Sequence, residues 1–288
     1  MASLLAIIAA ALQAGSFTLD KVILSIRGVN YRTYTGLSYP LIFAITLVVF
    51  LLVRPPFSLQ LVSGHLMWFF LALIILSVVT NLIFYRALDH DRLGEIQTID
   101  LFGNLPTILV ATFLFNDERN LFIIVPAMVA SCALVWAHWQ HHRLVIARGT
   151  VPFVVWTVTG HPLAASVSKL LLRAWNPIVL ELMRSGAMAV VLGFIFSHEI
   201  KKASLRTGLL LVITNILTTL AFILFYFSYQ RLGIVHTTLL FSLQPILVYI
   251  ASLVLLKEKL QPKKLVAFCI VLICIIVAQT MTAKPRGI

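Results

Sequence analysis

Apolar residues gather along this chain in ten long runs, at roughly 3 to 26, 34 to 53, 66 to 88, 93 to 115, 121 to 139, 151 to 173, 176 to 196, 206 to 231, 233 to 255 and 262 to 281. A helix needs about 20 apolar residues to cross the hydrocarbon of a bilayer, and each run approaches that length. The pattern predicts an all-α integral membrane protein with ten transmembrane helices, numbered here as crossings 1 to 10. The polar connections are too short to hold a separate domain, so any site must be built among the helices. Residues 1–14 have the apolar core of a signal peptide without its basic leading segment, and are expected to stay as crossing 1.

The pattern repeats after half the chain. Arg92-Leu93-Gly94 aligns with Arg231-Leu232-Gly233, after which Pro106 meets Pro245 and Glu118 falls one residue from the match of Glu258. Phe84-Tyr85 matches Phe225-Tyr226 after a two-residue length difference, and Lys21 pairs with Lys169 near the ends of crossings 1 and 6. The expected repeats are residues 1–145 and 146–288, with five crossings each. Five is odd, so the second copy starts on the opposite side from the first, which makes two inverted repeats around a central cavity. Such repeats put a site near the midplane at their interface and give alternating access by rocking one half against the other.

Polar residues within the runs mark where that site lies, because intramembrane charge is costly and normally faces a cavity or a partner. In crossing 4, Gln97, Asp100, Asn104 and Thr107 recur at i, i+3, i+7 and i+10, on one helical face. Asp100 could take a cationic substrate group or a coupling proton, or it could pair with Lys21, Lys169 or Arg184 and tie the halves together. Crossing 9 offers His236, Thr238, Ser242 and Gln244 but no acid, so the cavity is expected to be chemically asymmetric. His236 reads as a proton relay or as an interfacial histidine. Crossing 8 carries Asn215, Thr219, Phe222, Tyr226 and Tyr229, and crossing 3 answers with Ser77, Asn81 and Phe84. Asn81, Asn215 and Tyr226 are candidates to line the cavity, while Phe84 and Phe222 read as packing. Pro106, Pro245 and Pro162 each remove a backbone hydrogen bond and are candidate hinges. Ser185, Ala189 and Gly193 form a small-residue stripe for close helix approach. Lys21 and Lys169 can snorkel to an interface or serve coupling, and Arg184 can pair with Glu181 one helical step away.

Composition removes several function classes. With 60% hydrophobic and 11% charged residues, against about 25% charged in soluble domains, a water-soluble globule is excluded. The net charge of +12 comes from 22 Lys and Arg scattered in ones and twos, a spacing for lipid headgroups and topology, not for tracking phosphates. No nucleic-acid partner is expected; membrane lipids and a small-molecule substrate are. The three cysteines, Cys132, Cys269 and Cys274, sit within apolar runs without metal-type spacing. His138, His141 and His142 have the i, i+3, i+4 spacing of a metal site but no acid beside them, and Asp89-His90-Asp91 reads as a polar turn. No metal or cofactor is expected, apart from proton coupling. No Walker-type loop, zinc-protease helix or Gly-x-Ser-x-Gly elbow is present, so the chain does not read as an enzyme.

The stretches QAGSFTLDKVIL from residue 13, SKLLLRAWNPIVLELMRSG from 168, FYFSYQRLGIVHTTLLFSLQPILV from 225 and KEKL from 257 resemble the drug/metabolite transporter superfamily in its ten-helix EamA-type branch. The likeness runs over essentially the whole chain and rests on the order of these stretches. It implies a basket of two five-helix halves around a central cavity, with export or exchange as the usual activity. The chain departs from the pattern at Asp20, which precedes the lysine of crossing 1, and at His161-Pro162 in crossing 6.

The expected function is therefore secondary transport of a small metabolite such as an amino acid or amine; the alternatives are a lipid flippase, a non-transporting scaffold or, less favoured, a membrane enzyme acting on lipids. Monomer and homodimer are both open, and the cell (inner) membrane is expected if the chain is bacterial. Sidedness is disputed. The connections after the odd crossings hold thirteen Lys and Arg against six on the other side, which by the positive-inside rule puts both termini outside. The family resemblance implies the reverse.

Overall fold

The computed structural model describes residues 2–57, 64–90, 93–138, 151–198, 205–255 and 262–283. Among these lie twelve helices: α1 (Ala2–Leu24), α2 (Tyr31–Val53), α3 (His65–His90), α4 (Leu93–Phe102), α5 (Asn104–Leu114), α6 (Leu121–His138), α7 (Val151–Leu172), α8 (Pro177–Ile195), α9 (Leu205–Leu232), α10 (Ile234–Phe241), α11 (Leu243–Leu255) and α12 (Pro262–Ala283). A 3-10 turn, Asn116–Glu118, joins α5 to α6.

Ten apolar runs become twelve helices because crossings 4 and 9 are each broken, at Gly103 and at Ser242. Each break falls three residues before a proline, Pro106 or Pro245. A proline ring crowds the carbonyl four residues back and leaves it without its donor, so the backbone tightens there. Gly103 N–H donates to the Asp100 carbonyl at 3.0 Å, and Ser242 N–H is shared between the carbonyls of Thr238 at 3.1 Å and Leu239 at 3.2 Å. Pro162 lies within an unbroken α7, so the third candidate hinge does not interrupt its helix.

Seven of the described helical segments are long and apolar enough to cross a membrane, α10 and α11 counting together. The others are short, as α5 and α6 are, or polar: α7 carries Thr157, Thr159, His161, Ser166, Ser168 and Lys169. Large apolar side chains point outward, with Phe194 84%, Phe113 79% and Leu52 78% exposed. An apolar belt of this kind is at home only in lipid. The chain is an all-α, multi-pass integral membrane protein.

The principal helix pairs are α1 with α9, α3 with α7, α2 with α8, and α6 with α12. Swapping the two halves of the chain turns the α1–α9 pair into the α7–α3 pair and leaves the other two unchanged. Part of the small-residue stripe of α8 packs inward: Ser185 is fully buried and Ala189 packs on the cluster around Tyr39 and Ile42, whereas a Cβ at Gly193 would meet nothing within 4 Å. The close approach to α2 falls instead at Gly186, where a Cβ would come within 3.1 Å of the Phe43 ring. Direction is fixed by two lysines. Lys21, near the end of α1, donates to the Leu88 carbonyl of α3 at 2.7 Å, where the chain enters crossing 4. Lys169, near the end of α7, binds Asp117 and Glu118, where the chain has just left it.

Candidate functional site

Between the helices lies a cavity of about 290 Å³. Helix α4 brings Asp100 to it, and α5 continues the same polar face with Asn104 and Thr107. The Asp100 carboxylate stands 3.4 Å from His161 Nδ1 of α7, and the two side chains are 30% and 26% exposed toward the cavity. The glycine at the break permits this pairing. A Cβ on Gly103 would lie 2.8 Å from the Thr157 carbonyl and 3.3 Å from His161 Nδ1, so the backbone of the break seats directly on α7. Gly103→Ala is expected to force the two helices apart, at a cost of about 1–3 kcal/mol in stability as for other overpacked sites. Thermal unfolding of the purified protein checks this; an unchanged transition contradicts it.

Arg184, one member of a second charged pair, lines another wall. Arg184 of α8 donates from Nε and Nη2 to both Glu181 oxygens, each at 2.9 Å, while its guanidinium lies 4.4 Å from the centre of the Phe222 ring. Glu181 is fully buried behind it. Fork-to-carboxylate pairing fixes the guanidinium plane, and stacking on an aromatic face leaves one edge toward the cavity. The cavity thus presents an acid–histidine pair from α4 and α7 and a cation from α8, with Asn81, Phe84, Tyr226 and Gln244 between them.

Of the residues expected from sequence, Asn81, Asp100, Asn104, Tyr226, Gln244 and Pro245 line the cavity. Phe84 and Phe222, read as packing, line it too. The Gln97 side chain lies outside the described residues. Asn215 is buried in α9 away from the lining, with neither amide atom partnered among the described residues. His236 lies at the start of α10, where its Nε2 is 3.1 Å from Gln279 Nε2 of α12. Lys21 and Lys169 are held at opposite ends of crossing 4, and neither meets Asp100. His141, His142 and the His138 side chain lie outside the described residues; among the described residues no group of three metal-type side chains occurs. Sequence reasoning missed the site role of His161, noticed only as a departure from the family pattern, and that of Gln13.

One end of the bundle is locked by a second cluster. Glu118 accepts the backbone N–H groups of Ile234 at 2.6 Å and Val235 at 3.0 Å, and also binds the Lys169 ammonium. The carboxylate therefore caps the first turn of α10, where the helix dipole favours negative charge. Gly233, at φ +82°, turns the chain from α9 into α10, and a Cβ there would fall 2.8 Å from Glu118 Cδ. Asp117, in the same connection, accepts from Lys169 at 2.5 Å and faces Arg173 at 3.6 Å. Partial burial pushes its carboxyl up, but the hydrogen bond and charge of Lys169 outweigh this and hold it below the usual range.

Residues 150–280 match the model of the EamA-like transporter family. A solved crystal structure shares the fold over 97% of this chain and 98% of its own, with a TM-score of 0.76 at 15% identity. No curated protein matches the sequence. The likeness to the EamA-like transporter family thus covers the second half of the chain, and the fold agrees with that of the solved structure over nearly its whole length.

Proposed function

We propose that this protein is a secondary carrier that exports or exchanges a small amphipathic metabolite, such as an amino acid or an amine, by alternating access. The observation that carries this reading is the cavity itself, with Asp100–His161 on one wall and Arg184, paired with Glu181, on another. Opposed charges with aromatic faces between them suit a molecule bearing a charged group and an apolar body. The halves, residues 1–145 and 146–288, act as inverted repeats. The exchange of helix pairs under a swap of halves supports this, as does α1 running toward the entrance of crossing 4 while α7 runs toward its exit. The breaks before Pro106 and Pro245 serve as paired hinges, and the Glu118–Lys169 cluster closes one end in the state described.

Thermal-shift screening of the purified full chain against amino acids, amines and nucleosides tests the reading. A ligand that binds only the folded state adds about 2.7 kcal/mol at a hundred times its Kd. At least one amphipathic solute is expected to raise the unfolding temperature of the parent and not of Asp100→Asn. A panel in which every solute leaves the parent unchanged contradicts the reading.

A further inference from the structure

Asp20, beside Lys21 near the end of α1, is fully buried and belongs to neither charged pair described above. Its carboxylate accepts hydrogen bonds from Tyr34 of α2 at 2.5 Å, Thr214 of α9 at 2.6 Å and Tyr85 of α3 at 3.3 Å. All three partners are neutral hydroxyls. Around it, Lys21 of the same helix reaches the Leu88 carbonyl, Asp89 of α3 accepts the Tyr31 N–H, and Tyr39 of α2 is buried. Farther round the packed helices, Asp100 faces His161, and His236 of α10 meets Gln279. Among the described residues none forms an ion pair with Asp20.

The hydroxyls continue to the cavity wall. Thr214 Oγ1 lies 3.1 Å from Ser16 Oγ, which in turn bonds Thr218 Oγ1 at 2.5 Å, and Thr218 lines the cavity. A carboxylate kept from water without a cation is expensive, whereas a protonated acid among hydroxyls is not. Hydroxyls donate and accept alike, so the same shell satisfies either form.

We propose that Asp20 is a proton-binding site fed from the central cavity through the hydroxyl chain Thr218–Ser16–Thr214. A proton from cavity water goes to Thr218 as Thr218 passes its own to Ser16, Ser16 passes one to Thr214, and Thr214 delivers one to Asp20 Oδ1. Every hydroxyl ends as it began, and one proton has moved. Release runs the chain backward. Coupling of this proton to solute movement rests on the carrier reading; its binding does not.

Infrared difference spectroscopy of the full chain in lipid, between acidic and alkaline buffer, tests the site without any solute. The expected result is a carboxylic-acid carbonyl band that vanishes in Asp20→Asn and persists in Asp100→Asn. Thr214→Val and Thr218→Val keep the acid and break the relay, so each should slow hydrogen–deuterium exchange of that band by about tenfold or more. These two variants carry the test if Asp20→Asn does not fold. The proposal is overturned if no such band exists, if it survives Asp20→Asn, if neither relay variant slows its exchange, or if sodium, in place of potassium, removes it. A chain that shows the band and moves no solute would refute the carrier reading alone.

Discussion

Asp100→Asn is expected to leave the protein folded and inserted while lowering transport in proteoliposomes by about 10- to 100-fold. The amide has the shape of the carboxylate, and the group faces a cavity rather than tight packing. What is lost is the charge opposite His161 and toward the solute. Hydrogen bonds to charged groups contribute about 1.5–3 kcal/mol, and each 1.36 kcal/mol is about tenfold in rate. His161→Ala should act in the same direction, and the double variant should fall little below either single one, because residues in contact are not additive. Initial rates normalised to incorporated protein make the comparison. Parental rates in Asp100→Asn would remove this residue from the site, and a protein that no longer folds would make the pair structural.

The largest loss of stability is expected from Lys169→Met. The Lys169 and Glu118 side chains are only 7% and 4% exposed, and removing one partner of a buried pair costs about 3–5 kcal/mol because the other charge is left uncompensated. The stranded charge is Glu118, since Asp117 is 58% exposed and keeps Arg173 at 3.6 Å. Glu118→Gln placed on top of Lys169→Met should restore part of the loss, since it removes the stranded carboxylate and keeps an acceptor for the Ile234 and Val235 amides. Thermal unfolding of the four proteins of this cycle gives the coupling. If Lys169→Met unfolds with the parent, the cluster does not hold the α9–α10 junction to the α5–α6 connection.

How much of this was readable in advance follows from range. The multi-pass helical character was legible because hydrocarbon demands length and apolarity from spanning segments, and seven of the described segments meet that demand. The face of Asp100, Asn104 and Thr107 was legible because neighbours on one helix are fixed by its period. The partner of Asp100 was not. Sequence offered Lys21, Lys169 and Arg184, yet the structure commits these to Leu88, to Asp117 with Glu118, and to Glu181. His161 reaches Asp100 only because Gly103 lets α7 approach, a contact between segments far apart in sequence. The prolines signalled kinks, but the positions of the breaks depended on tertiary contact as well. Gln13, Ser16 and Asp20 carry the same signal, at i, i+3 and i+7 of α1, the spacing of Gln97, Asp100 and Asn104.

The most direct test of the central claim is counterflow through the purified chain in liposomes preloaded with a solute found by thermal shift. The account predicts saturable uptake of the labelled solute against the preload, at rates that Asp100→Asn and His161→Ala both depress. Uptake that rises linearly with concentration, or is equal in empty and protein-bearing liposomes, would contradict it.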